Sequence, residues 1–128
     1  MVAEFNRPIT ERMEEAAVDA AERQGATVVE TATVPGAYDS PLAADRLARR
    51  PDIEAVAVIG AIITGDTDHD QVIASAAADG LTRVSLDRDT PVTLGVTGPG
   101  MTAEEASDRT DKGADAVESA VSLVEGAS

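Results

Sequence analysis

The run Ile53 to Ile59 (IEAVAVI) narrows the fold more than any other stretch of the chain, because it is almost unbroken in its apolar character. A strand with one wet face alternates apolar and polar residues, whereas a strand covered on both faces reads as a continuous apolar run. Strands of the second kind belong to parallel sheets, whose crossover connections are usually helices. The rest of the sequence has the matching rhythm of short β-branched runs between longer helical stretches. Val2 to Glu4 reads as a short first strand. Pro8 and Thr10 open a helix to about Gln24, with Met13, Ala16, Ala17, Ala20 and Ala21 on one face and Gly25 as its stop. Ala26 to Val34 reads as the second strand, ended by Pro35-Gly36, and Ser40-Pro41 supplies the cap and first turn of a helix to about Arg50. A loop of Gly60 to Asp68 follows the central strand and leads into a helix from about His69 to Asp87. Pro91 to Val96 forms the last strand, Gly98-Pro99-Gly100 a tight connection, and Thr102 to Val124 a final helical stretch with a break expected near Gly113. These elements predict an α/β fold, a three-layer α/β/α sandwich around a four-stranded parallel sheet.

With no internal repeat, linker or low-complexity segment, the 128 residues are expected to form a single domain, 1–128. Its core must be aliphatic and small, since the chain holds one Phe, one Tyr and no Trp. Such a core favours association with further copies to bury enough surface. The absence of Cys excludes disulfides and thiolate chemistry, and a single His makes a protein-only zinc site a poor expectation. No apolar run approaches the roughly 18 residues of a membrane span, and the start MVAEFNRP lacks a signal-peptide layout, so a soluble cytoplasmic protein is expected. The net charge of −14 is spread along the chain and repels nucleic acid and anionic membranes. Nine Arg against one Lys, among 24 acidic residues, resembles the solvated acidic surface of proteins from salt-loving organisms.

In open parallel sheets, ligands bind beyond the carboxyl ends of the strands. Four loops qualify: Phe5-Asn6, Pro35 to Asp39, Gly60 to His69, and Thr97 to Met101. The third is the richest. Gly60 and Gly65 permit close backbone approach, Thr67 offers a hydroxyl, and the loop opens a helix whose free N–H groups favour an anion. An ordinary strand-to-helix turn would look similar, and Asp66 and Asp68 would repel a phosphate unless they point away. His69 is the only side chain suited by its ordinary pKa to proton transfer near neutrality, although a lone His can equally be a cap or a surface residue. Arg109 lies among acids that could simply pair with it. Phe5 could stack on a planar ligand or fill the core, and Tyr38-Asp39 could bind a polyol or cap the next helix.

Taken in order, these segments resemble the lumazine synthases over nearly the whole chain. The residues that carry the resemblance are Phe5-Asn6 with Ile9-Thr10, the stretch Val34 to Pro41 (VPGAYDSP), Gly60 to Ile63 with Gly65, Thr67 and His69, Pro91-Val92 with Gly95-Val96, and Ala106 with Arg109. Each is weak alone, and their ordered co-occurrence is specific. The resemblance implies a flavodoxin-like fold and a step of riboflavin biosynthesis. In that step 5-amino-6-ribitylaminouracil condenses with 3,4-dihydroxy-2-butanone 4-phosphate, releasing phosphate and water without cofactor or metal. It further implies that His69 moves protons and that Arg109 binds phosphate together with Gly65, Asp66 and Thr67. Phe5 would stack on the pyrimidine, Ala37, Tyr38 and Asp39 would hold the ribityl chain, and Ala61, Ile62 and Ile63 would offer backbone contacts. The family's sites lie between neighbouring subunits of a pentamer or its multiples, with Leu94 and Arg109 supplied from across the interface. Three residues depart from the common pattern: Thr64 where many members have Arg, Asp70 where an aromatic is usual, and Leu94 where a Phe stacks. The family's first strand also starts several residues earlier. An archaeal-type riboflavin synthase is the nearest rival enzyme, and a non-catalytic binding or shell protein of the same fold is the rival from another class.

Overall fold

The structure is a computed structural model that describes residues 1–63 and 69–126. Its four strands, β1 (Val2–Ala3), β2 (Thr33–Val34), β3 (Val56–Ile63) and β4 (Val92–Met101), form one all-parallel sheet in the order β2-β1-β3-β4. The helices are α1 (Arg7–Arg23), α2 (Ser40–Ala48), α3 (His69–Arg88), α4 (Ala103–Ser107) and α5 (Lys112–Gly126), with a 3-10 turn at Ala37–Asp39. Alternation along β3 builds a core on each face of the sheet. Val56 and Val58 meet Leu47 of α2 and Leu81 and Val84 of α3, while Ile59 and Ala61 meet Met13 of α1 and Ala116 of α5. The three-layer α/β/α arrangement expected from the rhythm of the chain is therefore present. Among the described residues no helix is long and apolar enough to cross a membrane.

Several boundaries differ from expectation, each for a physical reason. The second strand pairs only at Thr33 and Val34, because β1 offers just Val2 and Ala3 as partners. The preceding segment, with Val28 and Val29 exposed, borders a cleft of about 540 Å³ that separates it from residues 52–57. The central strand begins at Val56 rather than Ile53 and runs through Gly60 to Ile63, so the expected loop of Gly60 to Asp68 starts later. Gly60 lies within the strand, where a Cβ would meet Ala3, Val96 and Ala37 at ordinary van der Waals distance, so its lack of a side chain is not what ends or bends the strand.

The last strand also runs on, through Gly98-Pro99-Gly100 to Met101, by way of a bulge. From the pair Ala61 and Thr97 to the pair Ile63 and Met101, β4 advances four residues for two of β3. A Cβ on Gly98 would fall 1.9 Å from the Ile62 carbonyl oxygen, so only glycine lets β4 press this closely on β3. The final helical stretch is broken near Gly113 into α4 and α5, and Gly113 itself is the second residue of α5. Its α-carbon packs on α1, where a Cβ would sit 2.0 Å from the Met13 carbonyl oxygen. The break itself spans 108–111, and Thr102 caps α4 by accepting a hydrogen bond from the Glu105 backbone N–H.

Candidate active site

In a doubly wound sheet the natural binding crevice lies where the strand order reverses, because the flanking connections diverge to opposite faces there. Here that point is between β1 and β3. A pocket of about 420 Å³ opens at their carboxyl ends, lined by Phe5, Gly36 to Tyr38, Ala61 to Ile63, and His69, Asp70 and Ile73 of α3. Its size and mainly apolar walls suit a small planar ligand.

Phe5 owes its place to Asn6. Asn6 adopts a left-handed backbone conformation (φ 64°), which Asn tolerates better than most residues, and its side-chain amide donates to the Ala61 carbonyl at 3.4 Å. Its own carbonyl accepts from the N–H groups of Ile9 and Thr10, starting α1. The ends of β1 and β3 are thus tied together at the pocket floor. Phe5 is turned outward, 69% exposed, and does not fill the core.

The segment Gly36 to Tyr38 forms the next wall. Asp39 accepts from the Gly36 N–H at 3.1 Å, and the buried Ser40 hydroxyl donates to the Ala37 carbonyl at 2.6 Å. Ala37 is buried and Tyr38 is 63% exposed. One Asp39 oxygen is therefore engaged in its own turn, and Asp39 is not among the lining residues of the pocket. Ala61 and Ile62 are buried and Ile63 half-buried at the end of β3. His69 is the exposed first residue of α3, on the pocket wall.

The expected phosphate cradle at Gly65, Asp66 and Thr67, together with Thr64, lies outside the described residues. Arg109 is exposed beyond α4 and is not part of the pocket lining. Among the described residues it makes no salt bridge, so the neighbouring acids do not neutralise it. Leu94 lies in the middle of β4, the strand at the sheet edge, 49% exposed and apart from the pocket. Of the expected site residues among those described, the fold gathers Phe5, Ala37, Tyr38, Ala61, Ile62, Ile63 and His69 at the pocket and leaves Asp39, Leu94 and Arg109 out of its lining. Sequence reasoning missed the structural part of Asn6 and the presence of Asp70 at the pocket. The first had a signal in the Phe5-Asn6 pair, while the second had none beyond its departure from an aromatic.

Several arginine–carboxylate pairs of the described residues lie away from the pocket. Arg88 and Arg49 hold the Asp45 carboxyl below its usual range, and Arg50 does the same for Asp52 while also pairing with Glu30. The large cleft beside residues 26–31 likewise contains none of the expected site residues.

Comparison with known proteins agrees with the geometry. The family profile described as 6,7-dimethyl-8-ribityllumazine synthase matches residues 1–127. The protein of that name from Halobacterium salinarum is 70% identical over 125 residues, covering 98% of this chain and 94% of its own length. Its namesake from Halorubrum lacusprofundi is 66% identical, with 98% and 93% covered, and that from Methanocaldococcus jannaschii 47% identical, with 97% and 88% covered. Matches of this extent leave no room for a different family on the same sheet. The chain belongs to the 6,7-dimethyl-8-ribityllumazine synthase family and is an enzyme with that synthase activity.

Proposed function

We propose that the pocket between β1 and β3 takes 5-amino-6-ribitylaminouracil and that each working site is completed by a neighbouring copy of the chain. The observation that carries this reading is the split of the site residues: His69 and Phe5 share one pocket, while Arg109 and Leu94 of the same subunit lie outside it. Phe5, already turned outward, stacks on the pyrimidine ring, and the ends of the Ala61 to Ile63 strand meet its polar edge. Ala37 to Asp39 border the ribityl chain.

The second substrate is 3,4-dihydroxy-2-butanone 4-phosphate, and Arg109 of the neighbour grips its phosphate with two parallel N–H donors. Gly65, Asp66 and Thr67 supply backbone donors to the same group. The 5-amino group attacks the ketone and water leaves to form an imine. Phosphate is then eliminated, the resulting enol becomes a ketone, and the ribitylamino nitrogen closes the ring with loss of a second water. Each step moves a proton, and His69 is the residue whose chemistry suits that task. Holding the two substrates in register contributes more, up to about 7–11 kcal/mol in well-oriented cases. His69 therefore assists a reaction that positioning drives. The pentamer, free or in larger multiples, is the assembly this reading requires.

A complementation assay tests the shared site. His69→Ala and Arg109→Ala chains, each expected to turn over slowly at butanone phosphate concentrations below the variant KM, are unfolded, mixed equally and reassembled. In a ring with sites between neighbours, about a quarter of the sites regain both residues, so about a quarter of wild-type turnover returns. No recovery from well-assembled mixtures means that both residues serve the same subunit's site, and the shared-site reading fails.

A further inference from the structure

Asp70 has no part in the chemistry above, yet it is 6% exposed at the edge of the pocket. A buried carboxylate needs a partner, and this one accepts a hydrogen bond from the backbone N–H of Gly100 at 3.0 Å. Gly100 belongs to the bulge where β4 advances four residues against two of β3, so the regular ladder is interrupted there. The same bulge is pressed on Ile62 through Gly98, and Ile62 is part of the pocket wall. Asp70 thus joins the first turn of α3, which begins with His69, to the end of the sheet that floors the site. A charged acceptor makes such a bond about twice as strong as a neutral one.

We infer that Asp70 is a positioning residue for His69: its carboxylate clasps the start of α3 to the β4 bulge and so fixes where the imidazole stands over the pocket. A carboxylate in the first turn of a helix also favours the helix dipole. That effect alone would change stability without a selective effect on His69. The inference rests on the proton-moving role proposed for His69, and the experiment separates the two.

His69 is the only histidine of the chain, so its ring resonances in a ¹³C-histidine-labelled sample report its surroundings without overlap. Asp70→Ala is expected to shift or broaden those resonances and to lower turnover about tenfold, with both KM values within about threefold, as misplacement of a catalytic group does. Asp70→Asn keeps an amide oxygen for the Gly100 N–H and is expected to restore the wild-type resonances and turnover to within about threefold. In a His69→Ala background, Asp70→Ala is expected to lower turnover no further. Unchanged histidine resonances in Asp70→Ala overturn the clasp, as does an equal loss of turnover with and without His69. If His69→Ala alone leaves turnover intact while Asp70→Ala still moves the resonances, the proton-moving role fails and the clasp stands as a structural contact.

Discussion

Arg109 is the side chain that most directly tests the phosphate assignment, because it is exposed and makes no salt bridge with the acids among the described residues. A hydrogen bond to a charged group contributes about 1.5–3 kcal/mol, which corresponds to roughly 10- to 150-fold in an equilibrium constant. Arg109→Ala is accordingly expected to raise the KM for the butanone phosphate by that order and to leave the KM for the pyrimidine nearly unchanged. Arg109→Lys restores the charge but not the paired donors, so it should recover only part of the loss. Steady-state kinetics with each substrate varied in turn decide the matter, and a selective rise in the pyrimidine KM would remove Arg109 from the phosphate site. The placement of Phe5, Tyr38 and His69 at the pocket was legible in the sequence because they are the chain's single Phe, Tyr and His and each falls in a loop or turn that follows a strand. Asp70 was not legible, since a carboxylate at the start of a helix signals capping in any protein, and its bond to Gly100 depends on a bulge thirty residues away in the chain.

Among the secondary elements, the contact of α1 with α5 depends on Gly113, near which the sequence suggested a helix break. Gly113 allows the helices to approach until its α-carbon lies against the Met13 backbone, and backbone cannot rotate away as a side-chain tip can. Gly113→Ala must therefore push α5 off α1 and off the Thr93 hydroxyl, which donates to the Ala116 carbonyl at 2.7 Å. Overpacking of this kind costs about 1–3 kcal/mol, or several degrees in Tm. Gly126→Ala, with nothing within 4 Å of the added carbon, should leave Tm unchanged, and thermal denaturation of both variants checks the contrast. A Gly113→Ala chain as stable as the wild type would mean that α5 can retreat without loss. The order of elements, the parallel sheet and its two covered faces followed from apolar periodicity, which is local. The ends of β2, β3 and β4 did not, because they depend on which strand lies alongside. The pair at Thr33 and Val34 exists only where β1 is present, and β4 outruns its apolar stretch because glycine admits it to the edge of β3.

For the whole molecule, the decisive quantity is the charge of −14, which opposes the association that the proposed site needs. Several large apolar side chains are nevertheless exposed, among them Leu86 and Val72 on α3 and Leu94 on the edge strand β4. Burying such side chains stabilises an interface by roughly 25 cal/mol for each Å² removed from water, a contribution that salt does not screen away. The repulsion is screened: the range of a surface charge falls from about 10 Å at 0.1 M salt to about 3 Å at 1 M. Between these limits the balance should change sign, with separate chains in dilute salt and rings in molar salt. Sedimentation velocity and turnover measured across one salt series should then rise together, because on the proposed shared site a chain without its neighbour has the pocket but not the opposing Arg109. Replacing Leu94 by Asp should move both curves to higher salt by the same amount, as a buried carboxylate adds to what screening must overcome. Full turnover from monomers in dilute salt would show that one subunit makes a complete site, and Arg109 would then have to reach its own pocket by a path that the described residues do not provide.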